Sequence, residues 1–360
     1  MKAIYLDNAA TTQMTSSVMK AMVPFQTIHF GNASSLYTLG TLSRDAIEKA
    51  REKIASFLGV GSEEIIFTSG GTESNNMALK GVLSKGDHVI VSKIEHDSVL
   101  KAVEGLEVSY LSVDKEGRIS LDELRGALKE NTKLVSVMHA NNEIGTLQDI
   151  DAIGKICKEK GVLFHTDAVQ SFCKVKIDLT NVDLASFSGH KIHGPKGVGA
   201  LFVKKGVKVK ALLSGGGHEF GFRSGTENIA GIVGMAEAVR QVDIDKVSKM
   251  RDRVIEGVLK IDGSWLNGSR DRLCNNAHFG FRGVEGESLV LGLDEKGIMV
   301  STGSACSSKS LEPSHVLTAL GLSKVEAHGS LRVTLSEFTK DEDIDYFLKE
   351  LALVVEGLRK

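Results

Sequence analysis

The chain has 360 residues, of which 42% are hydrophobic and 25% charged, as in a soluble globular protein large enough for two domains. The formal net charge of −2 provides no basic field that would hold nucleic acid. No apolar run reaches the roughly 18 residues that span a bilayer, and the N-terminal sequence lacks the apolar core of a signal peptide. We therefore expect a cytoplasmic protein that binds neither nucleic acid nor membrane.

Short apolar segments alternate with amphipathic ones through the middle of the chain. A helical stretch at Ser43–Leu58 comes first, and further helices are predicted at Ser74–Leu83 and Asp149–Glu159. Strands that alternate with helices predict a mostly parallel sheet covered on both faces. The predicted strands are Ile65–Thr68, His88–Val91, Val108–Ser112, Leu134–His139, Val162–Thr166 and Leu184–Ser188.

The remainder of the chain predicts a smaller α/β unit. A long helical stretch, roughly Asn228–Leu259, is expected to link the two units. The predicted large domain covers residues 15–255, and the small domain combines residues 1–14 with 256–360. The elements predicted in the small domain are a strand near His278–Phe281, a helix at Glu287–Glu295, a loop through Cys306, a strand near Leu331–Leu335 and a final helix from Asp341.

The first predicted strand leads into the sequence Ser-Gly-Gly-Thr-Glu-Ser at residues 69–74, and then into a helix. Backbone N–H groups at a helix N-terminus bind anions, and glycine lets a ligand approach closely. The Gly-Lys-Ser/Thr of a Walker loop is absent. This segment predicts a phosphate site, although on its own it equally fits an ordinary helix start.

Polar side chains occur at the carboxyl ends of several predicted strands, where ligands bind in sheets of this kind. Taken singly, His96, Asn142, Asp167 and Lys191 have ordinary structural interpretations, such as turn formation or helix capping. Together they supply what pyridoxal phosphate (PLP) requires. A lysine links to the cofactor, a carboxylate keeps its pyridine nitrogen protonated, a flat side chain stacks on the ring, and an amide binds its phenolic oxygen.

Six segments extend this pattern over the whole chain: Leu6–Thr12, Thr68–Asn76, Asn141–Gly145, Ser188–Gly197, Arg223–Asn228 and Gly303–Cys306. They resemble the cysteine desulfurases of the NifS/IscS family, which are class V aminotransferase-like, fold-type I PLP enzymes. The resemblance implies an α/β fold with a large domain, built on a mostly parallel sheet flanked by helices, and a smaller α/β domain. It also implies removal of sulfur from L-cysteine, which gives L-alanine and a persulfide on Cys306.

The resemblance implies a role for each matching position. Lys191, Cys306 and His96 would be catalytic, with Lys191 carrying the cofactor and moving protons. Thr226 would reach the phosphate in the partner subunit, which implies a homodimer. The cofactor would be bound by Gly71, Thr72, His96, Asn142, Asp167, Gln170, Ser188, His190, Lys191 and Thr226.

The substrate carboxylate would be bound by Arg332, whose guanidinium fork suits that geometry, with help from Asn32 and Asn142. No metal is expected. His190 and His193 both lie in the lysine motif, and no further ligand spacing accompanies them.

Cys306 lies in a run of small polar residues, 301–310, that has little to pack and therefore predicts an exposed loop. A thiolate is the nucleophile in such chemistry. The resemblance implies that the loop passes sulfur to an acceptor such as an iron–sulfur cluster scaffold, and that a cluster can be bridged through Cys306 in that complex. Cys157, Cys173 and Cys274 form no metal or disulfide pattern and are expected to be free thiols without a catalytic role.

Related activities share the same set of residues. A selenocysteine lyase, a cysteine sulfinate desulfinase or another class V enzyme would use the same PLP site, and they differ in their dependence on the loop cysteine. A non-enzymatic scaffold would not need Lys191, Asp167, His96 and Cys306 together.

Several positions depart from the family pattern. Ala33 stands where proline is usual, Tyr37 where histidine is common, Phe220 where arginine is usual, and Ser336-Glu337 where Gly-Arg is common. None of these changes removes a group that the chemistry needs. Phe220 and Glu337 alter charge near expected partner or substrate surfaces, and therefore bear on the choice of acceptor.

Overall fold

The computed structural model describes residues 3–303 and 312–360. Its strands are β1 (Ile4–Tyr5), β2 (Ile65–Thr68), β3 (His88–Ser92), β4 (Glu107–Leu111), β5 (Thr132–Ser136), β6 (Leu163–Asp167), β7 (Leu184–Ser188), β8 (Gly199–Val203), β9 (Ser264–Leu266), β10 (Asn276–Phe281), β11 (Ile298–Met299) and β12 (Ser330–Thr334). Its α-helices are α1 (Ser16–Thr27), α2 (Thr38–Leu58), α3 (Gly71–Val82), α4 (Asp97–Leu100), α5 (Leu121–Ala127), α6 (Ile150–Lys160), α7 (Ile229–Ala238), α8 (Ile244–Val258), α9 (Gly286–Asp294), α10 (His315–Ala319), α11 (Lys324–His328) and α12 (Asp341–Arg359).

The central sheet has the strand order β2-β8-β7-β6-β5-β3-β4. Its pairs from β7 through β4 are parallel, whereas β8 runs antiparallel to both β7 and β2. The predicted α/β fold with a mostly parallel sheet is therefore confirmed. Strand β8 was not predicted, because its short apolar run directly follows a glycine-rich stretch that reads as a loop.

Both faces of this sheet are covered, as the continuous apolar strands require. In β2, Ile65 and Phe67 belong to one hydrophobic core, whereas Ile66, between them, belongs to another. Successive strand residues point to opposite faces, so each face has its own core. The first core includes residues of α2, α6 and α7, and the second includes residues of α3.

A third core lies in the smaller unit, around the antiparallel sheet β12-β10-β9 and the parallel pair β1–β11. The prediction of one long helix at Asn228–Leu259 is wrong, because the structure has two helices, α7 and α8. The second starts where the Asp243 carboxylate accepts a hydrogen bond from the backbone N–H of Lys246 at 3.0 Å. Helix α8 packs into the smaller core along its length. This packing favours a domain boundary N-terminal to the predicted residue 255, and the position of the domain boundary stays a prediction.

The N-terminal segment joins the two units. Asp7 forms a parallel bridge with Thr334 of β12, and Thr12 exchanges hydrogen bonds with the loop that follows β7, at His190 and His193. The segment between these contacts is therefore fixed at the junction where the carboxyl ends of the parallel strands meet the smaller unit. Among the described residues, no helix combines the length and the apolar character needed to cross a membrane.

Candidate active site

A cavity of about 420 Å³ lies at this junction, and we call it the main cavity. It opens at the carboxyl ends of the parallel strands, the expected place for a ligand. Most of the predicted site residues line it together, although they come from distant parts of the chain. These are Gly71, Thr72, His96, Asn142, Asp167, Gln170, Ser188, His190, Lys191 and Arg332.

One end of the main cavity is shaped for an anion. Helix α3 begins at Gly71, and Gly70 before it has φ +152°. A Cβ added at Gly71 would come within 2.7 Å of Val169 Cγ2, so the backbone there fits only glycine without rearrangement. The helix N-terminus, with Thr72 and Ser188, therefore forms a cradle that fits a phosphate.

His190 lines this end as a neutral imidazole. Burial, and then the nearby Lys191 and Lys196 ammonium groups, lower the pKa of His190 to about 4. Its Nδ1 lies 3.1 Å from the Thr11 hydroxyl oxygen. A neutral ring in this position offers a phosphate a hydrogen bond rather than a charge.

Asp167 is 5% exposed at the end of β6. Its carboxylate accepts hydrogen bonds from Asn75 Nδ2 at 2.7 Å and from the Val169 N–H at 3.0 Å. Within the described ranges no lysine, arginine or histidine forms an ion pair with it. A buried carboxylate with only neutral donors fits a cationic ring nitrogen, because burying an unpaired charge is costly.

Asn75 also lines the main cavity, and it was not among the predicted site residues. It is buried and also donates to the Ser98 hydroxyl at 2.8 Å. Its position four residues after Gly71 places it on the same face of α3 as the phosphate cradle. The spacing was therefore available in the sequence, but its partners were not.

His96 is held in a fixed orientation over the main cavity. It precedes α4, and its Nδ1 accepts from the Ser98 N–H at 3.1 Å and lies 2.8 Å from the Ser98 hydroxyl. Its neighbour Glu95 points into the core, where it accepts from Ser92 and from the backbone N–H of Met138. Burial raises the pKa of Glu95 to about 8, so it anchors the His96 backbone largely as a neutral acid.

Lys191 is one of the residues that line the main cavity. Its Nζ donates to the carbonyl oxygens of Ala9 and Ala10, the latter at 2.8 Å. Gln170 Nε2 donates to the same Ala9 oxygen at 3.0 Å. The N-terminal segment thus orients both the lysine amine and an amide of the predicted cofactor site.

Arg332, on β12, enters the cavity from the smaller unit and is 3% exposed. Its Nη1 donates to the carbonyl oxygens of Asn142 and Gly303, at 2.9 and 3.1 Å, and its Nη2 donates to Asp7 at 2.8 Å. Its Nε has no hydrogen-bond partner in the part of the chain that the structure describes. The guanidinium therefore keeps donor capacity for a carboxylate.

Two of the described site residues do not line the main cavity. Thr226 and Asn32 are exposed, and neither lines it. Their predicted roles stay predictions, and that of Thr226 concerns the partner subunit. Cys306 lies outside the described residues.

The other cysteines are buried. Burial raises the pKa of the Cys157 and Cys173 thiols to about 12, and it also raises the pKa of Cys274. These groups therefore remain protonated and are poor nucleophiles at neutral pH. Within the described ranges, no cluster of histidine, cysteine or carboxylate side chains is arranged to hold a metal ion.

Two departures from the family pattern make specific contacts. Glu337 forms an ion pair with Arg240, which joins the smaller unit to the segment after α7. The Phe220 ring lies 4.8 Å from the Arg51 guanidinium, which forms a buried ion pair with Glu219. Both substituted residues thus have defined partners within the chain.

Comparison with known proteins agrees with this geometry. The family model "Aminotransferase class-V" matches residues 4–347, so the chain belongs to this family, whose enzymes depend on PLP. Within it, the chain belongs to the cysteine desulfurases of the NifS/IscS group. "Cysteine desulfurase IscS" from Dictyoglomus turgidum is 50% identical over 99% of this chain and 96% of its own.

Solved structures support the same assignment. A "NifS-like protein" superimposes with a TM-score of 0.91 at 36% identity and covers 99% of this chain and 100% of its own. The structure "SspA in complex with cysteine" superimposes with a TM-score of 0.84 at 36% identity and covers 94% of this chain and 100% of its own.

Proposed function

We propose that this protein is a PLP-dependent cysteine desulfurase that takes sulfur from L-cysteine, releases L-alanine and holds the sulfur as a persulfide on Cys306. The convergence of Lys191, Asp167 and Arg332 on one cavity carries the proposal. A similar solved structure supports the choice of cysteine as the substrate, because it is a complex with cysteine.

The chain's residues can hold the cofactor in one orientation. The cradle at Gly71, Thr72 and Ser188 would hold the phosphate, and the Asp167 carboxylate would pair with the ring nitrogen. His96 would stack on the ring, and Asn142 and Gln170, which line the same cavity, would contact it. When bound, PLP supplies an electron sink for the substrate carbon.

The substrate is oriented by Arg332, whose remaining donors bind its carboxylate. The Lys191 amine, which lines the same cavity as Arg332, takes the Cα proton and returns a proton to the product. The Cys306 thiolate attacks the substrate sulfur, and the electron pair of the Cβ–Sγ bond stays with the carbon that becomes alanine. One S–S bond forms as one C–S bond breaks.

The partners belong to the same proposal. Exposed apolar residues at Ile28, Phe30 and Leu36 favour burial against a second copy of the chain. Thr226 is also exposed, as a role in the partner subunit's site requires. We propose a cytoplasmic homodimer that delivers sulfur to an iron–sulfur scaffold or a related carrier, with a cluster bridged through Cys306 in that complex.

The test is product analysis with the purified holoenzyme. Protein given PLP is expected to become yellow, to lose that colour on borohydride treatment, and to convert L-cysteine to L-alanine. Colourless protein that does not bind PLP would contradict the PLP proposal. Release of pyruvate in place of alanine would identify a different class V reaction, and unchanged activity of Cys306→Ser would point to a lyase or desulfinase that does not need the persulfide.

A further inference from the structure

Asp7 lies beside the proposed substrate-binding arginine and has no role in the function described so far. Its Oδ1 accepts a hydrogen bond from Arg332 Nη2 at 2.8 Å, in a pair whose side chains are 17% and 3% exposed, respectively. Because this pair is shielded from solvent, its geometry is more constrained than that of a surface ion pair.

The position of Asp7 is set by backbone pairing with the strand that carries Arg332. Asp7 bridges to Thr334, two residues beyond Arg332, and the next residue, Asn8, donates to the Thr334 carbonyl through Nδ2 at 2.8 Å. The Tyr5 hydroxyl donates to the Asp7 carbonyl at 3.0 Å. The register of this pairing therefore fixes the Asp7 carboxylate beside the Arg332 guanidinium.

The donors of Arg332 explain why this position matters. Two backbone carbonyls, of Asn142 and Gly303, accept from Nη1, and Asp7 accepts from Nη2. These three acceptors fix the plane of the guanidinium and leave Nε without a partner among the described residues. Without Asp7, the guanidinium keeps hydrogen bonds at Nη1 alone. Its plane can then rotate about the Nη1 end.

The short segment that contains Asp7 also contacts Lys191, on the other side of the site. Carbonyl oxygens of Ala9 and Ala10 accept from Lys191 Nζ. Residues 7–10 thus contact both the group proposed to bind the substrate carboxylate and the amine proposed to move its Cα proton. A single turn sets the spacing between these two groups, which belong to different units of the fold.

We propose that Asp7 is a positioning residue that fixes the Arg332 guanidinium for the substrate carboxylate, an inference that rests on the proposed function. Asp7 acts through Arg332 and does not itself contact the substrate. Loss of the Asp7 side chain weakens binding of the substrate carboxylate, whereas the parts of the site that bind the substrate's amine and thiol are retained.

The test compares two ligands that differ only in the carboxylate. The KM and kcat for L-cysteine are measured from alanine release, and cysteamine, which lacks the carboxylate, is titrated by its effect on the visible absorption of the holoenzyme. For Asp7→Ala we expect the KM for L-cysteine to rise about tenfold, with kcat changed less than about threefold, the loss of one charge-assisted hydrogen bond. The cysteamine concentration at half-saturation should stay within about twofold of wild type, because that ligand does not use Arg332.

Two further variants make the result specific. Asp271→Ala removes the exposed carboxylate partner of another arginine, Arg118, and should leave both ligands unaffected. Asp7→Asn keeps an acceptor oxygen but not the charge, so its KM should lie between those of wild type and Asp7→Ala. If Asp7→Ala does not retain PLP, Asp7→Asn carries the test, with an expected KM rise of about threefold.

A KM for L-cysteine that stays at the wild-type value in the variant carrying the test would overturn the inference. An equal weakening of L-cysteine and cysteamine would also overturn it, because that pattern indicates general damage to the site. Failure of the proposed function is distinguishable, since wild-type holoenzyme would then release no alanine at all.

Discussion

The hydroxyl of Ser314 donates a hydrogen bond to Oε2 of Glu143 at 2.6 Å, and this carboxylate is almost fully buried at the wall of the main cavity. The same Ser314 oxygen accepts from the backbone N–H groups of Val316 and Leu317 at the start of α10. One serine thus joins the chain that follows residues 304–311 to the loop after β5.

Replacing Ser314 by alanine removes the partner of a buried acceptor and a helix cap together. We expect Ser314→Ala to lower the free energy of unfolding by about 2–4 kcal/mol, the sum of the two losses, and to slow alanine release. The matched control is Ser323→Ala, since Ser323 caps α11 and bonds to Glu326 in an exposed position. It should cost only about 1 kcal/mol and keep full activity, whereas equal effects of the two changes would contradict this account.

Gly303 sits where a side chain does not fit. Its φ is +98°, and a Cβ would lie 2.9 Å from His278 Nε2 and 3.2 Å from Glu143 Oε2. We expect Gly303→Ala to reduce both stability and the rate of alanine release. Gly321→Ala separates the causes, because Gly321 has a similar φ of +89° with open space around it. Calorimetry should show that Gly303→Ala costs about 1–3 kcal/mol more than Gly321→Ala; an equal cost would mean that crowding plays no part.

Glu95 should make stability depend on pH. Its pKa is raised by burial to about 8 in the folded protein, against an ordinary value of 4.5. The folded state therefore prefers the protonated form, and this contribution to stability is complete below pH 4.5 and is lost as the pH rises through 8. The glutamine in Glu95→Gln is neutral at every pH. The free energy of unfolding of this variant, relative to that of wild type, should therefore increase by on the order of 3–5 kcal/mol as the pH rises from 4.5 to 8.

Denaturant titrations from pH 4.5 to 8.5 would measure this difference. The control is Glu104→Gln, because Glu104 is exposed beside Lys101. A difference between Glu95→Gln and wild type that does not change with pH would show that the buried carboxyl does not titrate as described.

Asp167 should be required for turnover more than for folding. In Asp167→Asn the side chain keeps an oxygen for the Asn75 or Val169 hydrogen bond but has no charge for the ring nitrogen of PLP. We expect kcat to fall about 10²–10³-fold, the scale of losing one electrostatic group in a site, with visible absorption still reporting bound PLP. Asp183→Asn, whose carboxylate accepts only from the backbone of Phe164 among the described residues, should keep kcat. An undiminished kcat in Asp167→Asn would contradict the proposed pairing of Asp167 with the ring nitrogen of PLP.

The sequence predicts those parts of the site that depend on local order. Lys191 and Asp167 follow from the alternation of strands and helices, because the carboxyl ends of parallel strands meet at one edge. The roles of Asp7 and Glu143 do not follow, since their partners Arg332 and Ser314 are 325 and 171 residues away along the chain. Only the folded structure brings such pairs together.

The helix prediction at Asn228–Leu259 failed for a related reason. Apolar periodicity continues across residues 239–243, but α7 packs into the core of the larger unit and α8 into that of the smaller one. The capping residue Asp243 marks the break in the sequence. Two separate cores, rather than local propensity, decide that the chain turns there.

Mapping the sulfur after a single turnover tests the central claim most directly. Holoenzyme is mixed with one equivalent of L-cysteine, the reaction is stopped by alkylation, and alanine and the modified cysteine peptides are quantified by mass spectrometry. The account predicts one alanine per active site and an additional sulfur on Cys306, with the same result in Cys157→Ala and no persulfide in Cys306→Ser. Alanine formed at the wild-type rate in Cys306→Ser, or the additional sulfur found on a different cysteine, would contradict it.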